Sequence, residues 1–357
     1  MLGVQCRKAC PLLEARLIVM KREPFHTLCP GAVRVLSALA LLVSAVASPA
    51  QELSLLAGAM RESETSEHSY AWALDYRHGL GEHAAVTFSW LNEGHIPNHH
   101  RDGQAVQLWG RTSLWDRRLS LAVGAGPYRY YDTTRPAPGD PFSNAHGWAA
   151  IYSASATYYA HSRWLYELRV NRILANSSFN TTSMLFGVGY QLDAPQSRGP
   201  LTHTASQGHK TTENELTVFV GQTVVNSFGS ERDTAWAVEY RRGLSEHVDW
   251  TVSVMDEGDT RLVRRDGVVT QLWLAREAFE RRFAMGIGLG PYVAISRRSR
   301  AEESGLDSDD TRVSAMFTAS AALRLSPRVS LRGSWNRVLT DYSRDTDIVL
   351  IGLGYRF

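Results

Sequence analysis

The last residues of the chain follow a two-residue alternation that limits what this segment can form. From Val349 onward every second side chain is large and apolar, and the positions between them are mostly small. The large set consists of Val349, Ile351, Leu353, Tyr355 and Phe357. A period of two places alternate side chains on opposite faces of a β-strand. A soluble sheet buries its apolar face against a second layer, whereas a strand of a transmembrane barrel turns that face to lipid.

The N-terminal region has the organisation of an export signal. Residues 35–47 form a short apolar run that follows basic residues and precedes a small-residue segment. This order is typical of a secretory signal peptide. The run is shorter than the ~20 residues that a membrane-spanning helix needs. We predict cleavage after Ala50, with Ala47 as the alternative, and Met20 as an alternative start because the preceding stretch is long for a signal.

Cysteine usage and charge exclude several classes of protein. Cys6, Cys10 and Cys29 all precede the apolar run, so the exported product would contain no disulfide. The net charge is only +2 and no basic stripe is present, so no nucleic-acid partner is expected. No glycine-rich phosphate loop joins a strand to a helix, and we expect no cofactor.

The exported region is an internal duplication with a shift of about 164 residues, far longer than the period of about 20–50 residues that marks a solenoid repeat. The repeats divide the chain into a signal region (1–50), a first copy (51–192), a polar linker (193–213) and a second copy (214–357). The matching segments include Trp72 to His83 with Trp236 to His247, Arg101-Asp-Gly103 with Arg265-Asp-Gly267, Gln107-Leu-Trp109 with Gln271-Leu-Trp273, Gly126-Pro-Tyr128 with Gly290-Pro-Tyr292, and Asn171-Arg172 with Asn336-Arg337.

Each copy contains eight segments with strand-like patterns, most of them about ten residues long, which suits tilted transmembrane strands. Longer polar connections alternate with tight turns, as in outer-membrane barrels. In the first copy the long connections are predicted at 61–68, 92–103, 131–146 and 175–180. The predicted strands are 52–60, 69–78, 83–91, 104–113, 118–130, 147–159, 163–174 and 181–192, then 215–223, 232–241, 247–255, 268–277, 282–295, 311–323, 327–337 and 345–357.

Polar residues on these strands are expected to face the barrel interiors, because charges inside a membrane protein pair away from hydrocarbon. The candidates are Asp75, Arg77, Arg111, Glu167 and Arg169 in the first copy, and Glu239, Arg241 and Arg332 in the second. Several tryptophans near strand ends, Trp90, Trp148, Trp164 and Trp335, are expected in the aromatic girdles at the membrane interfaces.

These features resemble the small eight-stranded outer-membrane β-barrel proteins of bacteria, and the resemblance covers 51–192 and 214–357. It implies an all-β fold of transmembrane antiparallel up-and-down barrels. Two tandem eight-stranded barrels are favoured because the linker is long and each copy has its own Gly-x-Gly-Tyr closing strand. One sixteen-stranded barrel, which would leave an aqueous channel, is the alternative. A soluble β-sandwich would explain the alternation but not the signal, the terminal Phe and the loop asymmetry together.

A weaker resemblance to lipid A deacylases of this shape would imply a Ser–His–acid site near the outer surface. The corresponding segments offer Ser177, Ser178 and Ser343 as nucleophiles, but neither segment contains a histidine. Hydroxyls that satisfy turn backbone are the alternative explanation for these serines.

Two further groups are candidates for ligand contact. His95, His99 and His100 lie in one predicted loop and could bind a metal, although a solvated loop would look the same. Arg172 and Arg337, with the preceding asparagines Asn171 and Asn336, occupy outer strand ends where arginine could pair with lipopolysaccharide phosphates.

The sequence therefore predicts a protein of the bacterial outer membrane, exported by a cleaved signal and without enzymatic activity. Expected partners are outer-membrane lipid, lipopolysaccharide, and the barrel-assembly machinery through the strand that ends at Phe357. A passive diffusion porin and a lipid A acyl-ester hydrolase are the alternative functions.

Overall fold

The computed structural model describes residues 50–195, 197–201, 208–298 and 313–357, which form sixteen antiparallel strands. The predicted signal peptide and its cleavage sites fall almost wholly outside these ranges. The first eight strands are β1 (Ala50–Glu62), β2 (His68–Gly79), β3 (Ala84–Ile96), β4 (His99–Leu114), β5 (Leu119–Thr134), β6 (Ser143–Tyr159), β7 (Trp164–Ala175) and β8 (Thr181–Gln191). The second eight are β9 (Asn214–Val225), β10 (Arg232–Gly243), β11 (Val248–Asp259), β12 (Arg264–Ala278), β13 (Phe283–Arg298), β14 (Val313–Arg324), β15 (Val329–Leu339) and β16 (Thr346–Arg356).

The strands close into two separate barrels. β1 pairs with β8, and β9 pairs with β16, so each copy completes its own ladder. The prediction of two tandem eight-stranded barrels is thereby confirmed, and the alternative of one sixteen-stranded barrel is wrong. We call the end of each barrel at which β1 and β9 begin the lower end, and the opposite end the upper end.

The connection predicted at 92–103 is much shorter than expected. β3 continues to Ile96 and β4 begins at His99, which leaves only two residues between them. Polarity misled the prediction here, because Glu93 and Arg101 point inward and bind each other. The connection predicted at 131–146 is likewise reduced to 135–142.

The distribution of side chains is the inverse of that in a soluble protein. Large apolar residues cover the outer surface; Val123 is 67% exposed and Leu353 is 60% exposed. Charged residues fill the interior; Glu167 is 1% exposed and Arg169 is 2% exposed. A closed ladder satisfies every strand internally, and an apolar outer band suits a hydrocarbon surrounding. No helix among the described residues is long and apolar enough to cross a membrane.

The two barrels contact each other along one side. The outward faces of β3 and β4 lie against the outward faces of β14 and β15, where Phe88 stacks on Phe317 and Trp90 stacks on Trp335. Trp90 and Trp335 are therefore not in the expected interface girdles. Their side chains contact protein where the sequence pattern suggested lipid headgroups.

Polar contacts extend this interface to the upper ends. Asn144 donates its backbone N–H to Ser343 Oγ (3.2 Å) and its side-chain amide to the carbonyl of Asn226 (2.8 Å). His146 Nε2 lies 2.5 Å from Asp345 Oδ2. The interface thus consists of aromatic contacts between the outward strand faces and hydrogen bonds between the upper ends of the two barrels.

The linker packs against the lower ends of both barrels. The carbonyls of Pro200 and Leu201 accept hydrogen bonds from Arg117 Nη2 (2.9 Å) and Arg111 Nη2 (3.2 Å). Further along, Thr212 Oγ1 donates to Asp249 Oδ2 (3.0 Å). The described parts of the linker therefore contact the lower ends of both barrels, which its polar composition did not reveal.

Candidate functional sites: barrel interiors and outer rims

A network of five charged side chains fills the lower interior of the first barrel. Arg77 Nη2 lies 3.0 Å from Glu167 Oε1, and Arg169 Nη2 lies 2.7 Å from the same oxygen. Arg169 also contacts Asp75, and Arg77 Nη1 lies 3.6 Å from Glu52. All five are buried. Four of them are sequence candidates for the interior; the fifth, Glu52, adjoins the predicted start of its strand.

The second barrel has a corresponding network with different partners. Arg332 Nη2 lies 2.9 Å from Glu215 Oε1, and Arg241 lies 3.0 Å from Glu239 and 3.5 Å from Asp249. The sequence indicated Glu239, Arg241 and Arg332 but missed the two acids Glu215 and Asp249. Both acids lie at strand ends, where a polar residue is equally compatible with a turn.

A tryptophan from the Gln-Leu-Trp repeat lies inside each barrel beside these networks. Trp109 and Trp273 are each 1% exposed. The guanidinium carbon of Arg169 lies 5.1 Å from the Trp109 ring, and that of Arg241 lies 3.9 Å from the Trp273 ring. An arginine over an indole face is an attractive arrangement in a desolvated site. The repeated tryptophan therefore fills space and supports the buried cations.

Arg111 differs from the other interior candidates. Its side chain reaches the lower opening and donates to the carbonyls of Glu82 (3.0 Å), Gly81 (2.7 Å) and Leu201. It holds a turn and the linker, and its hydrogen-bond acceptors in the described chain are backbone carbonyls and not carboxylates.

The two asparagines proposed as ligand contacts point into the barrels. Asn171 accepts from Ser153 Oγ (2.7 Å) and donates to Ser183 Oγ (3.1 Å). Asn336 accepts from Thr318 Oγ1 (2.9 Å). Both are buried, so neither is placed to meet a ligand outside the barrel.

The Arg-Asp-Gly repeat forms the upper layer of each interior. Arg101 donates from Nε and Nη2 to the two carboxylate oxygens of Glu93, at 2.6 and 2.8 Å. Arg265 donates in the same way to Glu257, at 2.9 and 2.8 Å. Tyr128 donates to Glu93 (3.1 Å). The sequence pattern placed Glu93 and Arg101 in a polar loop and did not predict these ion pairs; the repetition of the motif was a signal only of the duplication.

Ser178 lies in a polar cluster at the upper end of the first barrel. Its hydroxyl donates to Asp132 Oδ2 (3.0 Å) and accepts from Arg101 Nη1 (3.0 Å). His99 Nδ1 lies 2.9 Å from the same Asp132 oxygen. The fold thus brings a histidine to this serine from another strand, which the local sequence could not show. In a Ser–His–acid triad the histidine stands between serine and acid, whereas here the acid stands between the other two.

The other two serine candidates serve local structure. Ser177 Oγ lies 2.6 Å from the Tyr130 hydroxyl, and Ser343 Oγ accepts the backbone N–H of Asn144 in the barrel interface. Neither hydroxyl has an imidazole as a hydrogen-bond partner in the described chain.

The side chains of His95, His99 and His100 do not converge on one point. The rings of His95 and His100 stack with centroids 3.8 Å apart, while His99 turns to Asp132. Within residues 50–195, 197–201, 208–298 and 313–357, no group of three or more His, Cys, Asp or Glu side chains has the arrangement of a metal site.

Arg172 and Arg337 occupy equivalent outward positions but have different surroundings. Arg337 is 5% exposed and pairs with Asp347 (2.8 Å) and, across the barrel interface, with Asp102 (2.5 Å). Arg172 is half-buried and donates only to the hydroxyls of Ser63 (2.6 Å) and Thr182 (2.9 Å). Arg337 is therefore already neutralised by two carboxylates, while Arg172 remains accessible to an anion.

The middle layer of the second barrel contains a small void. A void lined by residues from its middle layer, including Phe219, Met255 and Gln271, measures about 10 Å³. That is at the lower limit for one water molecule. A larger depression of about 270 Å³ lies on the upper rim, lined by Asp233, Asp256, Gly258, Asp259, Arg264, Arg265 and Asp266.

No protein-family model matches this sequence, and none of the curated proteins does. Among solved structures, the N-terminal β-barrel domain of Pseudomonas aeruginosa OprF is 13% identical, with 40% of this chain and 98% of that chain covered and a TM-score of 0.32. Neisserial surface protein A is 8% identical, with 40% and 96% covered and a TM-score of 0.34. The CymD monoaromatic hydrocarbon channel is 10% identical, with 86% and 88% covered and a TM-score of 0.23. All three are similar to this chain as barrels.

Proposed function

We propose that this chain is an integral protein of the bacterial outer membrane whose two barrels do not conduct solutes. The observation that carries the proposal is the filling of both polar interiors by paired charges and a buried tryptophan. Eight strands enclose an interior just wide enough for side chains. A path for ions would require Arg77 of β2 and Glu167 of β7, which lie 3.0 Å apart across the interior, to separate.

The linker supports the same proposal. Pro200 and Leu201 lie across the lower opening of the first barrel, held by Arg111 and Arg117. With the upper ion pair of Glu93 and Arg101, each potential path in this barrel is blocked at three levels. The role that remains is structural, with contacts made by the outer surface.

We further propose that the upper rim contacts lipopolysaccharide. Arg61 and Arg172 face outward at the upper ends of β1 and β7, and their guanidinium groups donate hydrogen bonds to hydroxyl groups. Thr182 of β8 pairs with Arg61 on one side and with Arg172 on the other, so the two arginines flank the same strand. Arginine binds phosphate with two parallel hydrogen bonds, which makes a phosphate-bearing lipid the fitting ligand.

The test of the proposed function is conductance of the full-length protein purified from outer membranes and inserted into a planar bilayer. Insertion is verified separately by resistance of the vesicle-bound protein to protease. Electrical silence is expected while a porin in the same chamber gives steps. Stable steps from inserted protein would overturn the proposal. N-terminal sequencing of the same sample would show whether cleavage follows Ala50 or Ala47.

A further inference from the structure

The interface between the two barrels joins two different faces of one repeated fold. We call the outward side of β3 and β4, and its equivalent on β11 and β12, the leading face. We call the outward side of β6 and β7, and its equivalent on β14 and β15, the trailing face. Inside the molecule, the leading face of the first barrel contacts the trailing face of the second. Among the described residues, the middle of the first barrel's trailing face and of the second barrel's leading face is exposed, as at Tyr152 (50%) and Val254 (48%). The ends of these faces are partly covered, because Asn144 and His146 at the top of β6 contact the second barrel and Arg276 at the bottom of β12 contacts the linker residue Asp193.

The uncovered faces retain the charged pair of the covered interface. Asp102 of the covered leading face pairs with Arg337 of the covered trailing face. Their sequence equivalents are Asp266 on the free leading face and Arg172 on the free trailing face. Neither Asp266 nor Arg172 takes part in a salt bridge in the part of the chain that the structure describes.

The rims around these two residues have opposite charge. The free trailing rim carries Arg61, Arg129 and Arg172. The free leading rim carries more aspartates than arginines around the 270 Å³ depression. The aspartates are Asp233, Asp256, Asp259 and Asp266, and the arginines are Arg264 and Arg265. Complementary charge across two faces favours their encounter and fixes their register.

The apolar part of the two faces is smaller than in the covered interface. Trp90 and Trp335 are replaced at the equivalent positions by Val254 and Val170, which are 48% and 42% exposed. Protein contacts within a membrane depend on close packing, and small side chains permit it. The valine faces offer less contact area, so association through them would be reversible, unlike the covered interface.

We infer that the free trailing face of one molecule binds the free leading face of a second copy, with Arg172 paired to Asp266. This inference rests on the proposed function, because both molecules must stand upright in the same membrane. An interface between two different faces repeats until a ring closes or a row forms. The two faces lie three strands apart in an eight-stranded barrel, from β3 to β6 and from β4 to β7. The expected assembly is therefore a curved row of barrels.

Lipid phosphate competes for the same arginine. In a lone molecule Arg172 would bind a lipopolysaccharide phosphate, and Asp266 of the next copy would replace it on association. The experiment must therefore distinguish a second copy from lipid.

Crosslinking in outer membranes tests the assembly directly. The test variant is the full chain with Val170→Cys and Val254→Cys, in which Cys6, Cys10 and Cys29 are changed to Ser so that the two new cysteines are the only ones. Trp90→Cys with Trp335→Cys, in which the two cysteines belong to one chain, calibrates the reaction. Oxidation of Val170→Cys/Val254→Cys is expected to give a ladder of dimers, trimers and larger products. Val188→Cys with Val254→Cys, which pairs the leading face with a residue outside the trailing face, is expected to give none beyond background.

Charge reversal then tests the pair. Arg172→Glu alone, or Asp266→Arg alone, is expected to reduce the ladder several-fold, and the two together to restore it. An absent ladder, or a ladder that charge reversal leaves unchanged, would overturn the inference. If Arg172→Glu lowers only the lipopolysaccharide that co-purifies, the arginine binds lipid and the row does not form. Conductance in the bilayer experiment would instead overturn the proposed function, so the two failures are distinguishable.

Discussion

Trp90 of the first barrel and Trp335 of the second stack with their ring centroids 3.8 Å apart and their planes inclined by 26°. Neither tryptophan is repeated in the other barrel: Val254 is the equivalent of Trp90, and Val170 is the equivalent of Trp335. The stack therefore arose at positions where the two copies differ. It is flanked by Phe88 and Phe317 and makes the pair of barrels one body.

Loss of this stack should weaken the contact between the barrels. Trp90→Ala and Trp335→Ala are each expected to destabilise the protein, with a coupling of about 1 kcal/mol between them, as for other aromatic pairs. The measurement is a double-mutant cycle of unfolding free energies in lipid vesicles. Val254→Ala is the matched control, since its side chain lies on a free face. Additive effects of the two tryptophan changes would contradict the role of the stack.

Arg337 should be far more sensitive to substitution than its equivalent Arg172. Arg337→Ala would leave the buried Asp102 and the half-buried Asp347 without their cation, and loss of the partner of a buried charge typically costs about 3 kcal/mol or more. Arg172→Ala removes only hydrogen bonds to hydroxyls at the rim and should stay within about 0.5 kcal/mol. Urea titrations of both variants in detergent give the comparison. Equal losses would mean that the charge pair across the interface contributes little.

The sequence predicted the strands well because lipid on one side and packed charges on the other impose a strict alternation. It could not predict the barrel contact. Phe88 and Trp90 belong to the outward set of β3, and an apolar side chain that meets another barrel has the same chemistry as one that meets lipid. Arg337 and Arg172 likewise hold equivalent positions. Only the folded arrangement shows that one of them pairs with Asp102.

The interior contacts were partly predictable for a similar reason. Arg77 and Glu167 could be assigned inward from the alternation, but not to each other, because they are 90 residues apart and meet across the barrel. The same holds for His99 and Ser178, which meet only through Asp132. Pairing across a barrel depends on strand register and tilt, which local patterns do not contain.

Two glycines of the first barrel should respond in opposite ways to the same substitution. A Cβ at Gly124 would collide with the indole ring of Trp109, whereas a Cβ at Gly110 would meet nothing within 4 Å. Gly124→Ala is therefore expected to destabilise by about 1–3 kcal/mol through overpacking. Gly110→Ala should be neutral or stabilising by up to about 1 kcal/mol. Thermal unfolding in detergent gives both values, and an intact Gly124→Ala barrel would contradict the packing described for Trp109.

Acidification should weaken the lower end of the second barrel through His247, which lies in the turn between β10 and β11. Burial lowers the pKa of His247 below its usual value of 6.5, and the nearby Arg276 lowers it further, while Glu246 opposes the shift. The unfolded chain then takes up a proton before the folded chain does. The unfolding free energy should therefore fall as the pH drops below about 6.5 and be constant above it. His247→Gln should flatten this part of the curve; an unchanged slope would assign it to other groups.

Phe357 should matter for assembly in cells and not for the stability of the finished barrel. Its side chain is 64% exposed and stacks only loosely on Tyr355, with ring centroids 6.4 Å apart. Its backbone N–H donates to the carbonyl of Asn214, a contact that any residue could make. We therefore expect Phe357→Ala to unfold at the same urea concentration as the wild type after refolding in detergent. In cells, recognition of the last strand by the assembly machinery would require the aromatic end.

The measurement for Phe357 is the amount of heat-modifiable protein in isolated outer membranes, compared with the amount in the soluble periplasmic fraction. Leu353→Ala is the matched control, because Leu353 is 60% exposed on the same face of β16. A loss of membrane protein with Phe357→Ala and not with Leu353→Ala would identify the terminal residue as a recognition element. Equal membrane levels for both variants would show that assembly reads the alternating strand and not its last side chain. The refolding experiment separates this effect from any loss of intrinsic stability.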